Sequence, residues 1–73
     1  MSIIQSGNRT HDATCLLAEG TMQVAVAAAA GNQASMNAAT IAYFRTLRSS
    51  AIANGVGAEQ FSSALRELGT GGQ

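Results

Sequence analysis

Between Thr10 and Ala30 apolar side chains return every three or four residues. Cys15, Ala18, Met22, Val26 and Ala29 share one face of a helix, and Leu17, Val24 and Ala28 widen that face to one side. The spacing predicts a first helix over about 10–30. Thr10 suits the N-cap, and Asp12 falls in the first turn, where the helix dipole favours a carboxylate. Gly20 is a weak point inside it that admits close approach of another backbone. Gly31 ends the helix as its C′ residue, and Asn32 or Ser35 caps the next one.

A second helix is predicted over about 33–53. Met36, Ala39, Thr40, Tyr43, Phe44, Leu47 and Ala51 fall on one side of it. Ile41, Arg45, Arg48 and Ile52 are turned away from them, so a second apolar feature exists, interrupted by two arginines. Asn54 and Gly55 close the helix. A third, short helix spans about 58–68, where Phe61, Ala64, Leu65 and Leu68 sit at i, i+3, i+4 and i+7. Residues 1–9 read as a loose leader carrying Ile3 and Ile4, and residues 70–73 as a tail; the single domain is 10–69.

The stretch VAVAAAAG, Val24 to Gly31, places methyl-sized side chains where larger ones would build a fuller core. A tight turn at Gly31-Asn32 makes the two long helices an αα-hairpin. Small side chains let helices approach to the near end of the usual range of about 8–10 Å. Ala27–Ala30 therefore reads as a close-contact seam, met from the second helix by Ala34, Ala38 and Ala42. Such a seam has an energetic consequence. Apolar burial contributes about 25 cal/mol per Å², and ordering each residue costs about 1.5 kcal/mol. A core of methyl groups leaves that sum near zero, and a second copy is the remedy. The expected architecture is all-α: an αα-hairpin of two long helices plus a short C-terminal helix, assembled into a dimeric or higher helical bundle. Met22, Val26, Ile41 and Ile52 are its expected oligomer contacts.

Composition narrows the function. The 73 residues suffice for one small core, and a 47% apolar, 11% charged composition is too apolar for intrinsic disorder. Proline is absent, which favours unbroken helices. Formal charge is zero, so no global field steers the chain to nucleic acid or anionic lipid. A lone cysteine cannot form an internal disulfide, and MSIIQSG lacks the basic and apolar regions of a secretion signal; both point to a cytoplasmic location. No charge lies between Glu19 and Arg45, a length sufficient to span a bilayer. The amides Gln23, Asn32, Gln33 and Asn37 within it argue against insertion, so no membrane partner is expected.

Candidate chemistry is sparse. His11 and Cys15, four apart, share a helix face beside Asp12, but no other His or Cys exists to complete a metal site. The same pair lacks an oxyanion site and a third positioning group for nucleophilic catalysis. An exposed N-terminal histidine and a core-facing thiol are expected instead. Asp12, Glu19, Glu59 and Glu67 are scattered, and Gly55-Val56-Gly57 lacks the strand and lysine of a phosphate loop. No catalytic residue, cofactor or metal is expected, and the chain reads as not an enzyme.

Two features suggest binding. Residues 48–68, RSSAIANGVGAEQFSSALREL, follow the pattern of a helix-turn-helix: small Ala51, a turn glycine at 55, apolar Val56, then an amphipathic helix. On that reading Gln60 and Arg66 read bases, with Arg45, Arg48 and Arg66 the available phosphate contacts. Separately, Arg45 and Arg48 within their apolar frame suit a phosphate-bearing small ligand or an acidic protein surface at an oligomer interface. The favoured expectation is a non-catalytic, self-associating helical protein that binds a partner protein, as an accessory, adaptor or inhibitor-like protein, its size suiting a mobile element. A helix-turn-helix DNA regulator and an anion or nucleotide binder are the alternatives.

Overall fold

A computed structural model describes residues 8–69 of the chain. The fold is all-α: α1 spans Arg9–Ala28, α2 spans Gln33–Ala53 and α3 spans Glu59–Glu67. α1 and α2 pack as a hairpin, and the short α3 lies against α2. Of the expected leader, Asn8 and Arg9 belong to the fold; Ile3, Ile4 and residues 70–73 lie outside the described residues.

Local chemistry sets each boundary. α1 begins earlier than its pattern suggests because Asn8, not Thr10, is the N-cap: its backbone is extended and its Oδ1 accepts from the His11 N–H at 2.9 Å. At the other end Ala29 is the C-cap, so the left-handed position after it falls on Ala30, at φ 50°, and not first on Gly31. Gly31 follows at φ 87°. Of the two expected caps for α2, Asn32 serves, its Oδ1 accepting from the Ser35 N–H at 3.0 Å. The bounds of α2 match those its pattern predicts.

The α2–α3 turn is a Schellman motif. Gly55 takes φ 70°, its N–H donates to the Ile52 carbonyl at 3.3 Å, and the Val56 N–H reaches the Ala51 carbonyl at 2.8 Å. Val56 then packs on the core beneath. α3 lacks a side-chain cap, but Glu59 stands in its first turn and Arg66 in its last, both on the favourable ends of the dipole.

Among the described residues the buried apolar side chains are Cys15, Leu47, Ala51, Phe61 and Leu65. They gather at one end of the hairpin, where the start of α1, the end of α2 and α3 converge. From Leu16 to Thr46 no described residue is fully buried. Along that open stretch Ala18, Met22 and Val26 of α1, its C-cap Ala29, and Met36, Ala39, Thr40, Tyr43 and Phe44 of α2 are half-buried, on the faces their spacing predicts.

Two expectations about α1 are corrected. Leu17, Val24 and Ala28 do not extend the packed face; all three are exposed. Nor do the alanines form the expected seam. Ala27, Ala28, Ala30, Ala34, Ala38 and Ala42 are exposed, and only Ala29 of the run is half-buried. Consecutive helical residues point about 100° apart, so four alanines in a row wrap the helix and only one can face α2. Ala34 and Ala38 share a face with Ile41 and Arg45, on the outer side of α2. No helix among the described residues is long and apolar enough to cross a membrane.

Candidate functional site

The best-ordered polar chemistry is buried where the three helices meet. His11 is not an exposed N-terminal histidine: it is 0% exposed. It lies on the stripe of Cys15, one turn earlier, which carries it under α3. Its Nδ1 stands 2.8 Å from the Ser50 Oγ of α2, and its Nε2 stands 3.4 Å from the Cys15 Sγ. The imidazole is tilted against the Phe61 ring of α3, with centroids 6.1 Å apart. Asn54 extends the network, its Nδ2 donating to the Ser50 carbonyl at 2.8 Å and reaching the Ser50 Oγ at 3.4 Å. The Asn8 Nδ2 donates to the Asn54 carbonyl at 3.5 Å, tying the cap of α1 to the end of α2. Among the described residues no buried side-chain nitrogen or oxygen lacks a hydrogen-bond partner. A fully satisfied network of this kind fixes the register of α1 on α2, and the Phe61 ring seats α3 on it.

The thiol has the properties of a core group. Burial pushes the Cys15 thiol above its ordinary value, and the nearby Asp12 charge adds to the rise. A reactive cysteine needs the reverse, a depressed pKa and an open approach. Cys15 is 4% exposed. Among the described residues no group of three or more histidines, cysteines and carboxylates gathers to hold a metal ion.

The three candidate arginines are spread out. Arg45 and Arg66 are exposed and Arg48 is half-buried. Arg66, on α3, donates to the Ser63 Oγ one turn back at 3.1 Å. Arg45 borders a shallow hollow of about 530 Å³ with Thr14, Thr46 and Ser49, which neither Arg48 nor Arg66 lines. Two hydroxyls there are already directed inward, since Thr14 donates to the Thr10 carbonyl and Thr46 to that of Ala42. They are left as acceptors, an unfavourable lining for an anion.

The apolar candidates separate more clearly. Ile52 is 67% exposed on the outer face of α2, whereas Ile41, Met22 and Val26 are half-buried. Larger exposure lies on α1. Leu16, Leu17 and Val24 are 56%, 75% and 71% exposed. Beside them a hollow of about 330 Å³ runs between the helices, floored by Ala18, Met22, Ala39 and Tyr43. Leu16 was not singled out by the sequence pattern. Its signal is the four-residue interval Leu16, Gly20, Val24, a second stripe hidden beside the stronger one that faces α2.

Comparison with models of known protein families, with curated protein sequences and with solved structures finds no match to this chain.

Proposed function

We propose that this chain is a non-catalytic binding module that works by self-association, and that the assembled form holds a protein partner. The observation that carries the reading is the contrast between the two sides of α1. One side buries His11 and Cys15 against α2 and α3; the other leaves Leu16, Leu17 and Val24 in water, beginning at the residue next to Cys15. Covering a leucine or valine fully contributes roughly 1.5–3 kcal/mol. Three such side chains uncovered on one helix face are more than scattered surface apolars. Association would add apolar burial to a core in which, among the described residues, Leu47, Phe61 and Leu65 are the buried large apolar side chains.

Sedimentation velocity over a hundredfold range of concentration tests the reading. A sedimentation coefficient that rises with concentration, and a midpoint of denaturation that rises with it, are expected. A single monomeric species with concentration-independent stability overturns it.

The turn after α2 favours a second reading. Ala51 is fully buried and Val56 docks on the core after a glycine turn, the arrangement a helix-turn-helix uses to set its second helix. On this reading α3 enters the major groove and Arg45, Arg48 and Arg66 contact phosphates. Salt-sensitive duplex binding, lost in Arg45→Ala and Arg48→Ala, is the expected result; duplex binding that is absent at low salt removes it.

A further inference from the structure

We propose that the partner across the exposed side of α1 is α1 of a second copy, crossing it at Gly20 and Thr21. This rests on the self-association reading and specifies its geometry. The residues of α1 fall into rows four apart. Leu17, Thr21 and Ala25 form a ridge. On one side of that ridge lies the hollow shared with α2, lined by Thr14, Ala18 and Met22 of the next row. On the other lies a second hollow of about 590 Å³ formed with Leu16, Gly20 and Val24. That row is notched in its middle, because nothing lies within 4 Å of the place a Gly20 Cβ would occupy.

One helix thus presents a ridge and the grooves to receive an identical ridge, which is the requirement of a two-fold contact. Ridges of the four-residue rows interdigitate at about 50°, with axes about 8–10 Å apart and closest where side chains are smallest.

Charge selects the same occupant. Every residue lining the two hollows is uncharged. Glu19 is the only formal charge from Ala13 to Ala28, and it lies on the row of His11 and Cys15, toward the core end. The exposed sides of the other two helices carry ions: Arg45 on α2, and Glu59, Arg66 and Glu67 on α3. α3 would strand charges against an apolar ridge, and the uncharged half of α2 exposes alanines, Ser35 and the amides Gln33 and Asn37, whereas α1 meets leucine and valine with leucine and valine. Ten residues line one hollow and six the other, three of them shared, thirteen in all. A standard interface takes about 20–30 residues a side. The contact is therefore small, and its dissociation constant falls in roughly the micromolar range rather than the nanomolar.

Cysteine cross-linking in the full chain tests the crossing. At the crossing point the two Cα atoms of one position come within about 4–6 Å, inside disulfide reach. Thr21→Cys, oxidised with glutathione buffer above the dissociation constant, is expected to give mostly covalent dimer, and Gly20→Cys, whose side chain partly fills the notch, to do so at roughly tenfold higher concentration. Ala28→Cys lies eight residues along, about 12 Å of rise, and diverges beyond reach at a 50° crossing. It is expected to give less than a tenth as much. Wild type, whose Cys15 is buried, controls for adventitious bridging. Circular dichroism confirms that each variant is folded, and Thr21→Cys stands in if Gly20→Cys is not. Association in solution with no cross-link at either position overturns the crossing and leaves self-association standing. So does a cross-link at Ala28 equal to that at Thr21. A chain monomeric at every concentration overturns both.

Discussion

His11 Nδ1 and Ser50 Oγ, thirty-nine positions apart in the chain, meet at 2.8 Å. The pair joins the first turn of α1 to the last turns of α2, and Phe61 of α3 closes over the ring. Ser50→Ala removes the close partner of His11 Nδ1 and leaves that nitrogen, shut off from solvent, with only the weak contact to the Cys15 Sγ at 4.0 Å. An orphaned buried polar group costs about 1–3 kcal/mol. Urea denaturation should show a loss in that range, with the three helices retained. A change below about 0.5 kcal/mol would mean that the bond does not fix the register.

Much of this arrangement was legible in the sequence. The bounds of α2 and the apolar stripe of α3 follow from spacing alone, and cap chemistry narrows the start of α2 to Asn32 or Ser35, of which Asn32 serves. His11 was not, because a polar side chain near a chain end is ordinarily solvated. Its spacing gave the needed signal: four before Cys15, it continues the stripe of Cys15, Ala18 and Met22. The alanine seam failed for the converse reason. Composition drew attention to four consecutive small residues, whereas helical geometry sends only Ala29 inward. The exposed row Leu16, Gly20, Val24 was hidden because a periodicity search locks onto the stronger face. The functional sense of Arg45, Arg48 and Arg66 depends on what, if anything, binds beside them, and a single chain's pattern does not encode that.

The turn between α1 and α2 holds a removable strain. Ala30 sits at φ 50°, a left-handed conformation that costs an alanine about 1–2 kcal/mol. Glycine adopts it freely, but the substitution loosens the unfolded chain by about 0.4–1 kcal/mol. The balance predicts that Ala30→Gly stabilises the fold by about 0.5–1 kcal/mol. Gly31→Ala, at φ 87°, should destabilise it. Paired thermal melts decide the matter; a loss of stability in Ala30→Gly would contradict the geometry of the turn.

Alkaline pH should weaken the fold through Cys15. Its folded thiol titrates above the ordinary 9.0, first through burial and second through Asp12. Tyr43 is raised above 10.0 in the same sense, by burial first and then by Glu19 and Cys15. The folded protein therefore keeps these protons to higher pH than the unfolded chain. Their contribution is intact below the unfolded values and is lost as pH climbs through the folded ones. Denaturation midpoints should be flat from pH 7 to about 8.5 in this respect and fall above pH 9. Cys15→Ala should reduce the slope near pH 9, at the cost of the packing its sulfur provides. A slope unchanged in that variant would assign the alkaline loss elsewhere.

On the proposed crossing, Gly20 separates the needs of the monomer from those of the dimer. Within a helix, glycine is less favourable than alanine by about 0.8–1 kcal/mol. A methyl group at Gly20 meets nothing within 4 Å in the single chain. Gly20→Ala should therefore raise the stability of the isolated chain by roughly that amount, measured below the dissociation constant. In the crossed dimer the same methyl fills the notch that lets two α1 backbones approach. Overpacking a contact costs about 1–3 kcal/mol, so dissociation should become roughly tenfold easier. Leu17→Glu should abolish association without the gain in monomer stability, because it places a charge on the ridge. Opposite signs for the two properties in one alanine variant are the signature of a glycine kept for contact. A Gly20→Ala chain that is both more stable and at least as associated would show that the helices meet elsewhere.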